Sequence, residues 1–502
     1  MTNPTARPPA AEASLVRRLG LLGLAATGIC SMMGGAINIL PIALQRNVPG
    51  IGPHVLAAYA LGAVPAVLAA LAYAILGSAM PRAGGSYIYA SRSLSPYLGF
   101  VASFSHWFGL SIGIGVVSYI AVPFLRDVAK PLGLTGLAAW LDAGPVRVGV
   151  ALGFLWLFTG VNVLGVKAYE RTLVPLMFLM FALGSVVIFA GFGHDPADFA
   201  AAVAAREGVE IVLPAAAPPL DLWKLLAASA ILFSSFIGFD SIAQAGGEAR
   251  DPGRNLPLAV GIAVVTVGTF YLLFTGAVYH TVPWTFMAER SANADLTAPG
   301  LLGYVLSPGW TVAIVGGAAI ALVNDLPAML LSVSRLMFAW AEDGIFPPVV
   351  ARIHRRFHTP HVAIVLSALV ATGGILGSHL AGDFFLGVDV LVTSMLVNFL
   401  LMCVSVLALP RRNPALAREI RFGRGRTLQR VVGAGGALVL AGYLGIHVVK
   451  DLSADVPAWY LHSTWIWIGV LSAASVVFAV EWRRLKRRGV DVDARFSVLP
   501  PQ

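Results

Sequence analysis

Two carboxylates, Asp240 and Asp325, stand inside long apolar runs of this 502-residue sequence. A carboxylate at the centre of an inserted helix costs roughly 2.5–3.5 kcal/mol. A chain that keeps two there is expected to set them against a cavity, a cation or a partner group. Asp240 follows Gly238, and Gly246 and Gly247 come shortly after it. Small residues beside a charge let a helix break, and broken backbone at membrane depth survives only where protein or water satisfies its N–H and C=O groups. The chemistry on offer is binding: a carboxylate with loose carbonyls and amides can hold an ion or a polar solute. The alternative for Asp240 is a packing kink, its carboxylate bonded to a neighbouring helix. Asp325 follows Asn324 and precedes Pro327. It has three readings: counter-ion to a positively charged solute, proton carrier, or structural acceptor at a proline kink. His106 reads as a proton relay or as a bonded interior histidine. Glu248 reads as part of an inner gate with Arg92 or Arg335, or as a solvated loop residue.

The elements that must carry these groups are membrane spans. The chain is 58% apolar and only 12% charged, with mean hydropathy +0.80; soluble proteins run near ~25% charged. A helix needs about 20 apolar residues to cross the hydrocarbon. Twelve runs qualify, numbered here as spans 1 to 12: 19–45, 53–79, 96–125, 146–166, 171–193, 222–247, 256–282, 309–340, 361–380, 384–409, 430–450 and 462–482. With both ends cytoplasmic, 26 of the 34 basic residues fall on the inside, as the positive-inside rule asks. The net charge of +9 is thus an orientation signal and not a nucleic-acid footprint. The opening residues lack the apolar core of a signal peptide and are read as a disordered cytoplasmic tail. Cys30 and Cys403 both lie in apolar runs, so no disulfide framework, metal centre or cofactor is expected. No polar cluster suited to an enzyme stands at either membrane face.

Span 1 carries TGICSMMGGAINILP over residues 27–41, a small-residue interruption followed by Pro41. Span 6 has its own break at Gly238. Breaks in the first span of two successive five-span sets are the sequence pointer to an inverted-repeat transporter. The division that follows is a tail 1–18, a first repeat 19–193, an extracytoplasmic loop 194–221, and a second repeat 222–409. A cytoplasmic loop with spans 11 and 12 (410–482) and a basic tail 483–502 complete it.

Four motifs, in this order, carry a resemblance: MGGAINILP in span 1, PRAGGSYIYASRSL before span 3, FSSFIGFDSIAQAGGEARDPGRNLP through span 6, and SRLMFAWAEDGIFP at the end of span 8. Over about residues 20–410 the chain resembles the amino acid–polyamine–organocation permeases, its bacterial cationic-amino-acid-transporter-like members above all. The resemblance implies an all-α, leucine-transporter-type fold of five plus five spans, with spans 1 and 6 broken and two helices appended. It implies a plasma-membrane permease for amino acids or related amines, working by alternating access. The implied partners are a small-molecule amino acid or amine and the lipid bilayer, with ion coupling or exchange; Asp240 and Asp325, as groups that could titrate, favour a proton over sodium as the coupling ion. A diamine or polyamine carrier using Asp325, and a non-transporting sensor of the same fold, are the alternatives.

By motif, Gly35, Ala36 and Ile37, in the substrate-binding stretch that Gly34 opens, would offer N–H groups to a substrate carboxylate. Met32, Ser234 and Ile237 would offer carbonyls to its ammonium beside Gly238, with Phe233 and Phe236 as aromatic gates. Helix ends supply the partial charges for this. Asp240, Asp325 and Glu248 would serve coupling or gating. Three positions depart from the pattern. Gly34-Gly35-Ala36 stands for the usual Gly-Ser-Gly or Gly-Thr-Gly. Met180 stands where proton-coupled relatives place a lysine. Span 8 is more acidic than usual, at Asp325.

Overall fold

In lipid an apolar run must satisfy its backbone internally, and a single run can do so only as a helix. A computed structural model describes residues 15–500 except 35, 130–131, 215, 293–295, 382–384 and 457. Among these residues, twelve helices are long and apolar enough to span a membrane, from Leu21–Asn47 to Ser463–Arg487. Each falls on one of the twelve expected runs. The tail to residue 14, and Gly35 of the span 1 motif, lie outside the described residues; of Ala36 only the backbone is described.

The packing has an internal symmetry. Span 1 packs on span 7, and span 6 packs on span 2. Span 3 packs on spans 9 and 10, and span 8 packs on spans 4 and 5. Exchanging each span with the one five further along turns the first member of each pair of statements into the second. The pairs 2–7 and 3–8, which are in contact, map onto themselves. Spans 11 and 12 pack against span 10, outside this pattern.

Local chemistry sets several boundaries. Span 5 begins at Val166, earlier than the apolar run alone suggested. Gly165, at φ +105°, reverses the chain in a short turn, and a Cβ there would lie 3.0 Å from the Phe357 carbonyl. The 194–221 connection, expected as a loop, contains the helix Pro196–Glu207, held by a reciprocal capping box between Asp195 and Asp198. Outside the membrane, the Glu207 carboxyl is held below the usual range, mainly by the Tyr304 hydroxyl and then by Arg290.

Candidate functional site

Span 1 stops being helical after Met32 and resumes at Ala36. In span 6 the helix Leu222–Leu232 tightens into a 3-10 turn, Phe233–Phe236, and Ile237 is extended. Gly238 takes φ +135°, and helix returns for one turn at Ser241–Gln244. The two breaks meet. A Cβ at Gly238 would lie 2.7 Å from Met32 N and overlap the Ser31 carbonyl. Only glycine allows both that φ and that approach. The Ser31 and Ser241 hydroxyls, 3.0 Å apart, tie the chains beside the crossing. We expect Gly238→Ala to abolish uptake and lower the thermal midpoint. Gly268→Ala, whose Cβ would meet only Phe236 at 3.6 Å, should leave both unchanged. Wild-type uptake by Gly238→Ala would contradict the crossing.

The loosened backbone is partly satisfied from within. The Tyr271 hydroxyl of span 7 donates to the Met32 carbonyl. The Ser234 carbonyl accepts from Ile237 N–H at 3.1 Å. A carbonyl has two lone pairs, so each of these keeps one for a ligand. Phe236 packs on Tyr59 and Tyr271, with centroids 6.0 and 5.8 Å away. Phe233 faces Phe399 and Tyr443 instead. Tyr59 and Tyr271 were not singled out from the sequence, where a tyrosine in an apolar run looks like any core aromatic.

Asp325 is the middle residue of the helix Pro308–Glu342. A Cβ at Gly34 would overlap its Oδ2 and lie 3.1 Å from its Oδ1. The carboxylate therefore faces the unwound stretch of span 1 directly. It is 4% exposed, and its Oδ1 has no hydrogen-bond partner among the described residues. Its neighbours have other duties. Asn324 Nδ2 donates to Cys30 Sγ at 3.1 Å and to the Leu173 carbonyl at 3.4 Å. Asn162 Nδ2 donates to the Pro327 carbonyl at 3.1 Å. A small apolar cleft adjoins this stretch, lined by Met33, Ile37, Asn38 and Met180 among others. A second is lined by Ile39, Val117, Leu391 and Ser234 among others.

The arginine-rich face is closed. Glu248 and Arg335 form a two-pronged pair, Nε to Oε2 at 3.1 Å and Nη2 to Oε1 at 2.6 Å. Both are buried, which corrects the solvated-loop reading of Glu248. Arg92 pairs with Asp343, not with Glu248. Backbone stitches surround them: Arg18 and Leu19 N–H donate to the Glu248 carbonyl, each at 2.9 Å, Arg250 N–H to Leu19 O at 2.8 Å, and Gly84 N–H to Gln244 O at 3.1 Å. The C-terminal segment lies over this layer. Arg82 and Arg92 donate to the Pro500 and Val498 carbonyls at 2.9 and 3.2 Å, and the Phe496 ring sits 5.0 Å from the Arg92 guanidinium.

Asp240 does not face the Asp325 side of the break. Its Oδ1 accepts from Gly238 N–H at 3.0 Å, and its Oδ2 lies 2.8 Å from His106 Nε2. Both side chains are fully buried. His106 also approaches Ser86, Gln244, Ser332 and Asn398. Sequence spacing offered His106 and Asp240 as separate candidates and gave no sign of Ser86 or Gln244.

The sequence profile of the family described as "Amino acid permease" matches residues 19–482. Among similar proteins is an uncharacterized transporter of Mycobacterium tuberculosis, 29% identical over 85% of this chain and 86% of its own. Another is the human cationic amino acid transporter 4, 27% identical over 70% of this chain and 53% of its own length. The methylthioribose transporter of Bacillus subtilis is 23% identical over 91% of this chain and 92% of its own. A match through all twelve spans, on a fold whose two broken helices meet at mid-depth, makes this a membrane transporter of amino acids or related organic compounds, and the chain belongs to the amino acid permease family.

Proposed function

We propose that the protein is a secondary active transporter of the plasma membrane, with both termini cytoplasmic. It carries solutes bearing at least one ammonium group by alternating access, driven by protons rather than sodium. The observation that carries this reading is the Asp325 carboxylate, buried, facing the unwound stretch of span 1 at Gly34, with Oδ1 lacking a partner among the described residues. A buried carboxylate oxygen without a partner is costly, and a cation arriving at the break lowers that cost. The half-helix ending at Met32 adds the negative end of its dipole nearby. A solute carboxylate would meet the N–H groups that open the second half-helix, Ala36–Asn47. The orientation follows from the basic loops: the sealed face, with Arg92, Arg335 and the C-terminal segment, is the cytoplasmic one. The similar human protein, named for cationic amino acids, supports a positively charged solute. The similar methylthioribose transporter belongs to the neutral outcome of the test.

The test is uptake into proteoliposomes of small neutral, cationic and acidic amino acids, putrescine and spermidine, with and without an inward proton gradient. The expected result is gradient-stimulated uptake of one or more amines. Failure of every amine, in preparations shown to be active by exchange of another solute, would overturn the reading.

A further inference from the structure

We infer that the buried His106–Asp240 pair is the proton-binding site of this transporter, and that its loading is read by the break in span 6. The inference rests on the reading of the chain as a proton-coupled carrier and assigns the site.

Donor and acceptor roles around the pair form a directed chain. Asn398 Nδ2 donates to the Tyr73 hydroxyl at 2.7 Å. Tyr73 and Ser86 lie 2.5 Å apart, oxygen to oxygen, and either can donate; the chain proposed here has Tyr73 as the donor. Ser86 Oγ also accepts from Gln244 Nε2 at 2.8 Å. With two donors on its oxygen, Ser86 turns its own hydrogen to His106 Nδ1, 3.2 Å away. Nδ1 is then an acceptor and Nε2 carries the hydrogen, in close contact with Asp240 Oδ2 at 2.8 Å but out of hydrogen-bond geometry. In the unloaded state of this proposal the imidazole is neutral and the carboxylate ionised. The pair then holds a net negative charge with no solvent exposure.

One proton on Nδ1 cancels that charge. The imidazolium keeps its Nε2–H beside the Asp240 carboxylate and must place Nδ1–H on Ser86 Oγ. Ser86 and Tyr73 then reverse their hydrogens, and a half-turn of the Asn398 amide offers Oδ1, which has no partner among the described residues, to the Tyr73 hydroxyl. The other groups facing the pair are accounted for. Tyr73 on span 2 is the titratable neighbour in this chain, with Tyr89 packed edge-on to its ring at 6.0 Å. Ser332 of span 8, 3.3 Å from Nε2, is neutral, and Arg335 further along that helix is committed to Glu248.

The pair reaches the moving parts on both sides. Asp240 Oδ1 holds the N–H of Gly238, the residue at the crossing of the breaks. Gln244 accepts on its carbonyl from Gly84 N–H in the closed layer. Loaded, the neutral pair is compatible with a sealed, dry interior. Unloaded, its charge favours the state in which the cytoplasmic layer parts and water reaches Gln244, Ser86 and His106. Proton release to the cytoplasm is thereby tied to inward opening.

The test uses the full chain with His106→Gln and Asp240→Asn, in nanodiscs and in proteoliposomes. In nanodiscs, proton uptake between pH 8 and 5 is followed with an indicator dye in weak buffer. Wild type should bind about one proton per chain more than His106→Gln, the stoichiometry of a single imidazole; no difference overturns the assignment, whether or not the variant still transports. In proteoliposomes, using whichever amine of the panel wild type moves fastest, both variants should retain solute counterflow and lose accumulation driven by the pH gradient. Gradient-driven accumulation by His106→Gln equal to wild type also overturns it. If wild type itself ignores the pH gradient, the proton-coupled reading fails, and the dye titration still decides whether the pair binds the proton.

Discussion

Asp325→Asn should lower uptake of ammonium-bearing solutes by about 10- to 150-fold. A hydrogen bond to a charged group contributes about 1.5–3 kcal/mol, and each ~1.4 kcal/mol is tenfold in affinity. The substitution keeps the shape of the side chain beside Gly34 and removes only the charge, so the helix that carries it should fold as before. The loss should appear mainly in the apparent affinity for the solute, and it should be larger for diamines than for neutral amino acids if a second ammonium is what Asp325 meets. Saturation curves in proteoliposomes for each solute decide this. A loss confined to the proton-driven component, with unchanged affinity, would move Asp325 from the substrate to coupling. Wild-type behaviour with every solute would reduce the residue to a packing role.

Glu248→Gln should open the closed layer around Glu248 and Arg335. Arg335 would be left as a buried charge without its carboxylate, and removing one partner of a buried pair costs about 3–5 kcal/mol. The closed state bears that cost, because it is the closed state that buries both side chains. Backbone amide exchange supplies a direct readout. Gly84 and Arg250 N–H bridge the layer through Gln244 O and Leu19 O, so peptides covering them should exchange at least tenfold faster in the variant. The double substitution Glu248→Leu, Arg335→Met should return much of the protection, since a packed apolar pair often replaces a buried ion pair without loss. Unchanged exchange in Glu248→Gln would mean that the layer is held by its other contacts, the Arg92–Asp343 pair and the C-terminal segment.

The number and position of the spans were legible in the sequence. A run of about 20 apolar residues has one stable form in lipid, so composition over a window suffices. The breaks were legible for the same reason in reverse. Gly34 and Gly238 interrupt runs that would otherwise continue, and glycine at mid-depth marks backbone that must leave the helix. Asp325 also stood out, because a carboxylate there is too costly to be incidental.

What tertiary structure decided was which groups meet. His106 and Asp240 are separated by more than a hundred residues and touch only because spans 3 and 6 present one face each to the other. Glu248 takes Arg335 and leaves Arg92 to Asp343; all four side chains sit in segments that read alike as basic or acidic punctuation. Asp240 and Asp325 looked equivalent as buried acids. One accepts from the Gly238 amide and lies against His106, and the other faces the unwound stretch of span 1 at Gly34. Periodicity and cost place a residue along the membrane normal. The rotation of its helix, fixed by packing against neighbours distant in the chain, decides what its side chain faces, and that information is not local.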